Sequence, residues 1–413
     1  MKAISINGAR LWDSLMELAQ IGATPAGGVC RLALTELDRK GRDLVIGWAK
    51  QAGCSIRIDE IGNIFAKRAG RDNSKASIAV GSHIDTQPTG GKFDGNYGVL
   101  AGLEVFRTLN DHDMQTQHPL ELCIWTNEEG SRFVPVMMGS GVYAGCFSLK
   151  TALEAKDKDG ITVQAALEAI GYAGREPAAL SAGAPRFAAY FEAHIEQGPV
   201  LEDADVVIGA VTGALGQRWY DVTVTGTEAH AGPTPMALRL DALQAAIKLM
   251  EETVAIANRH APNGRGTVGM VDVFPNSRNV IPGRVKFSVD LRNIDEGSLV
   301  SMDEEIRTAC EKVAATTKTK VLIEPVTTFA PTPFASHLVE GVRRGAEIRG
   351  YSCMDIVSGA GHDAVYVAGQ IPVAMIFVPC KDGISHNEIE DAKPEHLEAG
   401  CNVLLDAMLR AAA

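Results

Sequence analysis

The sequence lacks long hydrophobic runs, blocks of basic charge and regularly spaced cysteine pairs. Its uninterrupted apolar stretches, such as residues 373–378, fall far short of the roughly 18 residues that span a bilayer. Lys and Arg total 39 against 51 Asp and Glu, which gives a formal net charge of −12. That balance argues against a phosphate backbone or an anionic membrane surface as the main partner. We therefore expect no membrane span and no nucleic-acid partner.

The eight cysteines are scattered, without the CxxC or CxxxH spacing of a thiolate zinc site. In a chain of this length they are expected to be small buried hydrophobes, and we assign none of them a role. The first 13 residues contain no apolar segment of the kind found in secretory signals. Location in the cytoplasm is therefore the expectation.

What is present is an ordinary globular composition, with 46% apolar and 22% charged residues over 413 positions, long enough for two or three domains. Helical periodicity and β-rich runs alternate near both ends of the chain, which predicts a layered α/β fold. The predicted helices span residues 10–22, 37–52, 96–109, 338–349 and 394–409. The predicted strands span residues 77–82, 120–126, 188–193 and 371–378.

The middle of the chain has an order of its own. Strands are predicted over residues 219–225, 267–274, 284–291 and 321–326, and helices over 236–258 and 299–313. The resulting β-α-β-β-α-β order is ferredoxin-like. We therefore predict an inserted second domain at residues 212–328, and one catalytic domain built from residues 1–211 and 329–413.

Histidines and carboxylates gather in five clusters, most of them where predicted strands end and where open α/β sheets bind ligands. The clusters lie at residues 81–96, 125–130, 191–199, 226–232 and 383–388. Each cluster alone is more often structural, since a single HxD is common and a pair of glutamates is usually a solvated helix face. Their joint occurrence in one α/β pattern favours a functional site.

Imidazole and carboxylate ligands without thiolates suit zinc, manganese, cobalt or nickel. Five candidate ligands are available: His83, Asp94, Glu129, His194 and His386. The carboxylate of Asp94, in a glycine-rich turn, can expose both oxygens and bridge two metals. Asp85 lies two residues after His83, so its carboxylate is expected to accept the second imidazole N–H.

Adjacent Glu128 and Glu129 point in alternate directions on an extended chain, so one can bind metal while the other faces a metal-bound water. This set is typical of metal-assisted hydrolysis, in which two cations lower the pKa of water and polarise the carbonyl under attack. Glu128 would accept the water proton and deliver it to the leaving nitrogen.

Taken together and in this order, the clusters resemble those of the hydantoinase/carbamoylase branch of the di-metal aminoacylase and carboxypeptidase superfamily. That branch contains N-carbamoyl-L-amino-acid hydrolases, β-ureidopropionases and allantoate amidohydrolases. The motifs that carry the resemblance are GSHIDT at 81–86, KFDG at 92–95, EEGSRF at 128–133, EAHIEQGP at 192–199 and GTEAHAGPTPM at 226–236.

The resemblance implies a role for each matching residue. One metal would be held by His83, Asp94 and His194. The other would be held by Asp94, Glu129 and His386, and Glu128 would be the general base. His194 is the branch's own feature, because related peptidases generally use a carboxylate there.

The resemblance also implies the substrate contacts. Gln197 would contact the ureido group, and Arg292 would clamp the substrate carboxylate, a task suited to a planar guanidinium. His230 and Asn279, from the inserted domain, would steady the oxyanion, with His230 reaching across the interface of a homodimer. The inserted domain would act in dimerisation and as a lid that closes over the metals.

The implied activity is hydrolysis of the ureido C–N bond of an N-carbamoyl amino acid to the amino acid, ammonia and carbon dioxide. An aminoacylase or dipeptidase of the same superfamily is the enzymatic alternative, against which His194 counts. A metal-binding homologue without turnover is the other alternative, and the intact Glu128 and all five ligands argue against it. Cys30 departs from the threonine that many relatives carry, away from the metal ligands.

Overall fold

The computed structural model describes residues 4–413 of the chain. The chain forms two compact units, the first ending at Gly213 and resuming from Pro333 to Ala413, the second running from Ala214 to Thr332. The boundaries predicted from the sequence lie within a few residues of these positions. Across residues 4–413, no helix combines the length and apolar character needed to cross a membrane.

Helices and strands alternate through the first unit. The helices are α1 (Gly8–Ala19), α2 (Glu36–Gln51), α3 (Asn96–Asp111), α4 (Met138–Ala144), α5 (Leu149–Glu154), α6 (Val163–Ile170), α7 (Val200–Asp203), α8 (Ala242–Arg259), α9 (Glu296–Thr317), α10 (Ser336–Arg349), α11 (Asp363–Ala368) and α12 (Pro394–Ala411). Of these, α8 and α9 belong to the second unit.

The strands are β1 (Ser55–Ile58), β2 (Ile64–Arg68), β3 (Ile78–His83), β4 (Leu120–Trp125), β5 (Ala189–Ile195), β6 (Ile208–Ala214), β7 (Gly216–Thr225), β8 (Ala229–His230), β9 (Arg265–Thr267), β10 (Val271–Phe274), β11 (Val280–Ile281), β12 (Arg284–Asn293), β13 (Lys320–Phe329), β14 (Thr332–Pro333), β15 (Cys353–Ser358) and β16 (Val373–Val378).

The central sheet of the first unit has the order β1-β2-β4-β3-β5-β16-β6-β14, and β15 pairs with β6. Its middle strands β4, β3, β5 and β16 run parallel to one another, with antiparallel strands on either side, and are buried along their whole length. Such burial on both faces explains why these strands read as nearly continuous apolar runs. The predicted α/β class is confirmed, and the carboxyl ends of these four strands meet at one edge.

The second unit has an antiparallel sheet of order β10-β12-β7-β13, with β9 also paired to β12. Its core lies between this sheet and the helices α8 and α9, and includes Tyr220, Val222, Leu249 and Phe287. The chain order of these elements is β7-α8-β9-β10-β12-α9-β13. With β9 and β10 counted as one interrupted strand, this is the β-α-β-β-α-β order expected from the sequence.

Two details of the second unit differ from the sequence expectation. Helix α8 begins at Ala242 rather than at residue 236, because the side chain of Asp241 accepts the N–H groups of Leu243 and Gln244 and caps the helix. The strand predicted over residues 267–274 is interrupted at 268–270. There, the hydroxyl of Ser288 accepts the N–H groups of Gly269 and Met270, so two short strands pair with β12.

Candidate metal centre and active site

Four of the candidate segments leave the carboxyl ends of the parallel strands. His83 is the last residue of β3, and His194 is the penultimate residue of β5. Glu128 and Glu129 follow the end of β4, and His386 lies on the loop after β16. This edge is where open α/β sheets place their ligands, because the connecting loops diverge there and leave a crevice.

Asp94 lies at the middle of the cluster, and its two oxygens face different partners. Its Oδ1 is 3.2 Å from Nε2 of His194 and 3.7 Å from Nε2 of His83. Its Oδ2 is 3.2 Å from Nε2 of His386, and that nitrogen is 3.4 Å from Oε2 of Glu129. The five candidate ligands therefore form two groups that share Asp94, and the donor atoms within each group lie within 4.8 Å of one another.

Backbone carbonyls fix the orientation of two of the imidazoles. Nδ1 of His83 is 2.9 Å from the carbonyl oxygen of Asp85, and Nδ1 of His194 is 2.8 Å from that of Ile195. A proton on each Nδ1 leaves each Nε2 with a lone pair that points toward Asp94. Because two nitrogens and a carboxylate oxygen then converge, this pocket fits a cation.

The support that Asp85 gives differs from the expectation. Its backbone carbonyl accepts the imidazole N–H, whereas its carboxylate Oδ1 lies 3.9 Å from Nδ1 of His83. The carboxylate instead accepts the N–H groups of Glu128 and Glu129, each at 3.2 Å. These two N–H groups follow the end of β4, and burial requires that they find an acceptor. Asp85 therefore ties β3 to the segment that carries both glutamates.

Gly95 leaves space for the ring of His83. Its φ is +66°, and a Cβ built on it would lie 2.4 Å from the imidazole. Both its backbone conformation and its contact with the ring therefore require glycine at this position. Its N–H also lies 3.1 Å from Nε2 of His194.

Glu128 is 8% exposed, and its Oε2 is 3.5 Å from Nε2 of His83. Burial raises the pKa of Glu128 well above its ordinary value, and the carboxylates of Asp363 and Glu129 raise it further. Burial and Asp94 likewise raise the pKa of Glu129. So many acidic groups in one buried site repel one another, and bound cations would relieve that repulsion.

Glu129 has a support that the sequence did not reveal. The backbone N–H of Gln87 donates to its Oε1 at 3.0 Å, and the side-chain amide of Gln87 donates to its Oε2 at 2.6 Å. The hydroxyl of Ser131 fixes the other end of that amide at 2.6 Å. In the sequence, the one indication that Gln87 lies at the site was its position four residues after His83.

Two side chains beside the cluster have unsatisfied atoms. The Nε2 group of Gln197 donates to Oδ2 of Asp94 at 2.9 Å, but its Oε1 is buried and has no hydrogen-bond partner among residues 4–413. The same holds for Nε2 of His362, whose ring centre is 4.5 Å from that of His194. Unpaired buried groups of this kind are expected at binding sites.

A third group of possible ligands consists of Glu192, His194 and His362. Glu192 is already satisfied, since its Oε1 accepts the hydroxyl of Ser82 and its Oε2 accepts the N–H of Ala364. His194 also belongs to the group around Asp94. The two groups that share Asp94 therefore fit a metal better than this one.

The remaining candidates lie in the second unit. His230, in β8, pairs with Val280 of β11, and the N–H of Ala231 donates to the carbonyl of Asn279 at 2.8 Å. The fold therefore brings His230 and Asn279 together, and both are exposed. Arg292, on β12, is 25% exposed and forms an ion pair with Asp290, with Nη2 at 2.8 Å from Oδ2.

A mixed α/β sheet whose parallel middle strands carry a buried histidine and carboxylate cluster at their carboxyl ends is typical of metallohydrolases. The chain belongs to peptidase family M20/M25/M40, whose sequence profile matches residues 79–410. This family is metal-dependent. The expected resemblance to the hydantoinase/carbamoylase branch is confirmed by the relatives that follow.

An N-carbamoyl-L-amino-acid amidohydrolase of Rhizobium meliloti is 46% identical over 98% of this chain and 97% of its own. An allantoate amidohydrolase of Bacillus subtilis is 34% identical over 97% of both chains. The crystal structure of an amidase of the hydantoinase/carbamoylase family from Burkholderia multivorans matches with a TM-score of 0.96 and 56% identity. That match covers 99% of this chain and 98% of the other.

Proposed function

We propose that this protein is a metal-dependent amidohydrolase that cleaves the ureido C–N bond of an N-carbamoyl amino acid. Water adds to the carbamoyl carbon, the C–N bond breaks, and the products are the amino acid, ammonia and carbon dioxide. The observation that carries the proposal is the pair of ligand groups sharing Asp94 with Glu128 beside them. Relatives named for this activity, 34–46% identical over nearly the whole chain, support it.

The residues present fit two divalent cations. His83, Asp94 and His194 would hold one, and Asp94, Glu129 and His386 would hold the other. Nitrogen and oxygen donors without thiolate suit Zn²⁺, Mn²⁺, Co²⁺ or Ni²⁺. When bound, the metals would lower the pKa of the attacking water and polarise the carbonyl.

Glu128 is proposed as the general base that takes the water proton and passes it to the leaving nitrogen. Its backbone N–H is held by Asp85, and its carboxylate lies beside His83. A carboxylate anchored in this way is positioned for proton transfer at a fixed place, which typically contributes about 10²- to 10⁴-fold in rate.

Substrate contacts are proposed from both units. The unpaired Oε1 of Gln197 would accept an N–H of the ureido group. Arg292 would bind the substrate carboxylate with its planar guanidinium. The guanidinium would then either contact both the substrate and Asp290 or give up its ion pair with Asp290. His230 and Asn279 would stabilise the developing oxyanion. The homodimer, the lid motion of the second unit and the cytoplasmic location stay predictions.

The test is an ammonia-release assay with manganese or cobalt added, in which substrates are compared side by side. The ureido acids in the comparison are N-carbamoyl-α-amino acids, N-carbamoyl-β-alanine and allantoate. N-acetyl amino acids and dipeptides test the aminoacylase or dipeptidase alternative. We expect turnover of at least one ureido acid and little of the acetyl compounds. Absence of ammonia from every ureido acid, in protein shown to contain metal, would refute the proposal.

A further inference from the structure

A buried carboxylate outside the proposed ligand set joins two parts of the metal centre that are far apart in sequence. Glu390 is 3% exposed. Its Oε1 accepts the backbone N–H groups of Phe93 at 2.9 Å and Asp94 at 3.2 Å. Its Oε2 accepts the hydroxyl of Ser385 at 2.7 Å. The side chain therefore holds the turn that carries Asp94 against the loop that precedes His386.

Ser385 extends this connection to the atoms at the centre. Its Oγ lies 3.2 Å from Oδ2 of Asp94, the same oxygen that is 3.2 Å from Nε2 of His386. The side chain of His386 is 52% exposed, and besides Asp94 and Glu129 it has the amide of Gln197 at 3.5 Å from its Nε2. The hydrogen bonds of Glu390 and Ser385 thus restrain the more exposed ligand.

The neighbouring backbone is shaped for this carboxylate. A Cβ built on Gly91 would lie 2.0 Å from the carboxyl carbon of Glu390, so only glycine leaves room for it there. Three donors converge on the two oxygens of Glu390, which satisfies most of its capacity as an acceptor. A buried carboxylate with so many partners is fixed in position and can act as a rigid support.

We propose that Glu390, acting through Ser385 and the backbone of Asp94, is a positioning residue that sets the affinity of the cation position formed by Asp94, Glu129 and His386. The other position, at His83, Asp94 and His194, is held by strands and carbonyls and depends on Glu390 much less. This inference rests on the proposed metal-dependent function. Outer partners of metal ligands typically contribute 10- to 100-fold in metal affinity.

The test measures Mn²⁺ binding to the chelator-treated full chain by calorimetric titration. Glu390→Leu removes all three acceptor bonds and is expected to weaken one of the two binding steps 10- to 100-fold, leaving the other within about threefold. Glu390→Gln keeps an oxygen for the two N–H groups and an amide that can donate to Ser385, so it should stay within about threefold in both steps. Ser385→Ala, the milder variant, should weaken the same single step.

Glu104→Leu is the control outside the metal centre. Glu104 is also a buried carboxylate that accepts a backbone N–H, from Asn7, and a hydroxyl, from Thr108, and it forms an ion pair with Arg10 as well. Glu104→Leu is expected to lower the thermal midpoint of the metal-free protein without changing the ratio of the two affinities. The inference would be overturned if Glu390→Leu and Ser385→Ala weakened both binding steps equally, or if neither variant changed any step. It would also be overturned if Glu390→Leu and Glu390→Gln weakened Mn²⁺ binding equally. A wild-type chain that binds none of Mn²⁺, Zn²⁺, Co²⁺ and Ni²⁺ would instead refute the proposed metal-dependent function.

Discussion

The candidate residues of the two units differ in how firmly the fold holds them. In the first unit, His83, Asp94 and His194 are at most 4% exposed, and backbone groups contact each of them. In the second unit, His230 and Asn279 are exposed, and Arg292 is paired with Asp290. These three groups of the first unit are therefore held in place before any ligand binds. His230 and Asn279 of the second unit are exposed and can contact a ligand.

The difference follows from what burial costs. Acceptor atoms that converge in a buried site lose their hydration, so a bound cation returns much of that free energy. Exposed side chains stay hydrated and lose little when they are without a ligand. Variants of the first unit should therefore change metal binding and chemistry, and variants of the second unit should change substrate discrimination.

Removing the metals should have the largest effect. Protein dialysed against a chelator is expected to release no ammonia from a ureido acid, and adding back Mn²⁺ or Zn²⁺ should restore turnover. Bound cations also stabilise the fold, by about 2.7 kcal/mol at a free concentration of 100 Kd, so the thermal midpoint should fall on removal. Full activity in protein that elemental analysis finds metal-free would mean that the buried cluster is not a metal centre.

Glu128→Gln should separate metal binding from chemistry. The amide cannot accept the water proton, so kcat should fall about 10²- to 10⁴-fold while metal content stays at the wild-type level. His83→Ala, at a proposed ligand, should lose metal as well as activity. Normal turnover of the Gln variant would show that another group is the base.

Gly95→Ala should disturb the buried cluster through one methyl group. The new Cβ would meet the ring of His83 and the residue would keep φ at +66°, so the imidazole should be displaced. We expect a loss of about 10² in kcat/KM, as for a misplacement of about 1 Å at a reacting centre. Gly160→Ala is the matched control, since φ is +81° there but no atom lies within 4 Å. Equal activity of the two variants would contradict the assigned contact.

Arg292→Ala should have the smallest effect and the most selective one. Loss of a charge-assisted contact worth about 1.5–3 kcal/mol should raise KM about 10- to 100-fold for substrates with a free carboxylate. The KM for the matching uncharged amide should rise far less. Asp290→Asn removes the ion pair but keeps Arg292, so it tests whether loss of the ion pair alone changes KM. A similar loss on both substrates would argue against a carboxylate clamp and for a structural ion pair.

Local signals predicted the four middle strands and the five longest helices of the first unit, and missed its shorter helices and its edge strands. The apolar runs that became β3, β4, β5 and β16 are buried throughout, and burial is what makes such runs visible in a sequence. In the second unit both helices and the main strands were predicted, but the start of α8 and the break between β9 and β10 were not. The cap at Asp241 and the interruption filled by Ser288 depend on hydrogen bonds that apolar periodicity does not report.

The candidate site shows the same limit. The five proposed ligands and Glu128 were visible as histidines and carboxylates near strand ends. The sequence predicts that the carboxylate of Asp85 supports His83, but it accepts the N–H groups of Glu128 and Glu129, in the segment that follows β4. The sequence did not indicate a role for Gln87 or Glu390. Each acts through a contact with a residue distant in the sequence, Gln87 with the carboxylate of Glu129 and Glu390 with the backbone of Phe93 and Asp94.

The sequence by itself determined the kinds of donor atom, the strands that carry them and the membership of a metal-dependent family. Spacing and side-chain chemistry along the chain are enough for that. Only the tertiary structure decided that one oxygen of Asp94 faces His194 while the other faces His386, and that Glu390 reaches a backbone N–H 297 positions away. Periodicity reports which face of an element is buried, whereas contacts between distant residues arise only when the packed sheet brings strand ends together.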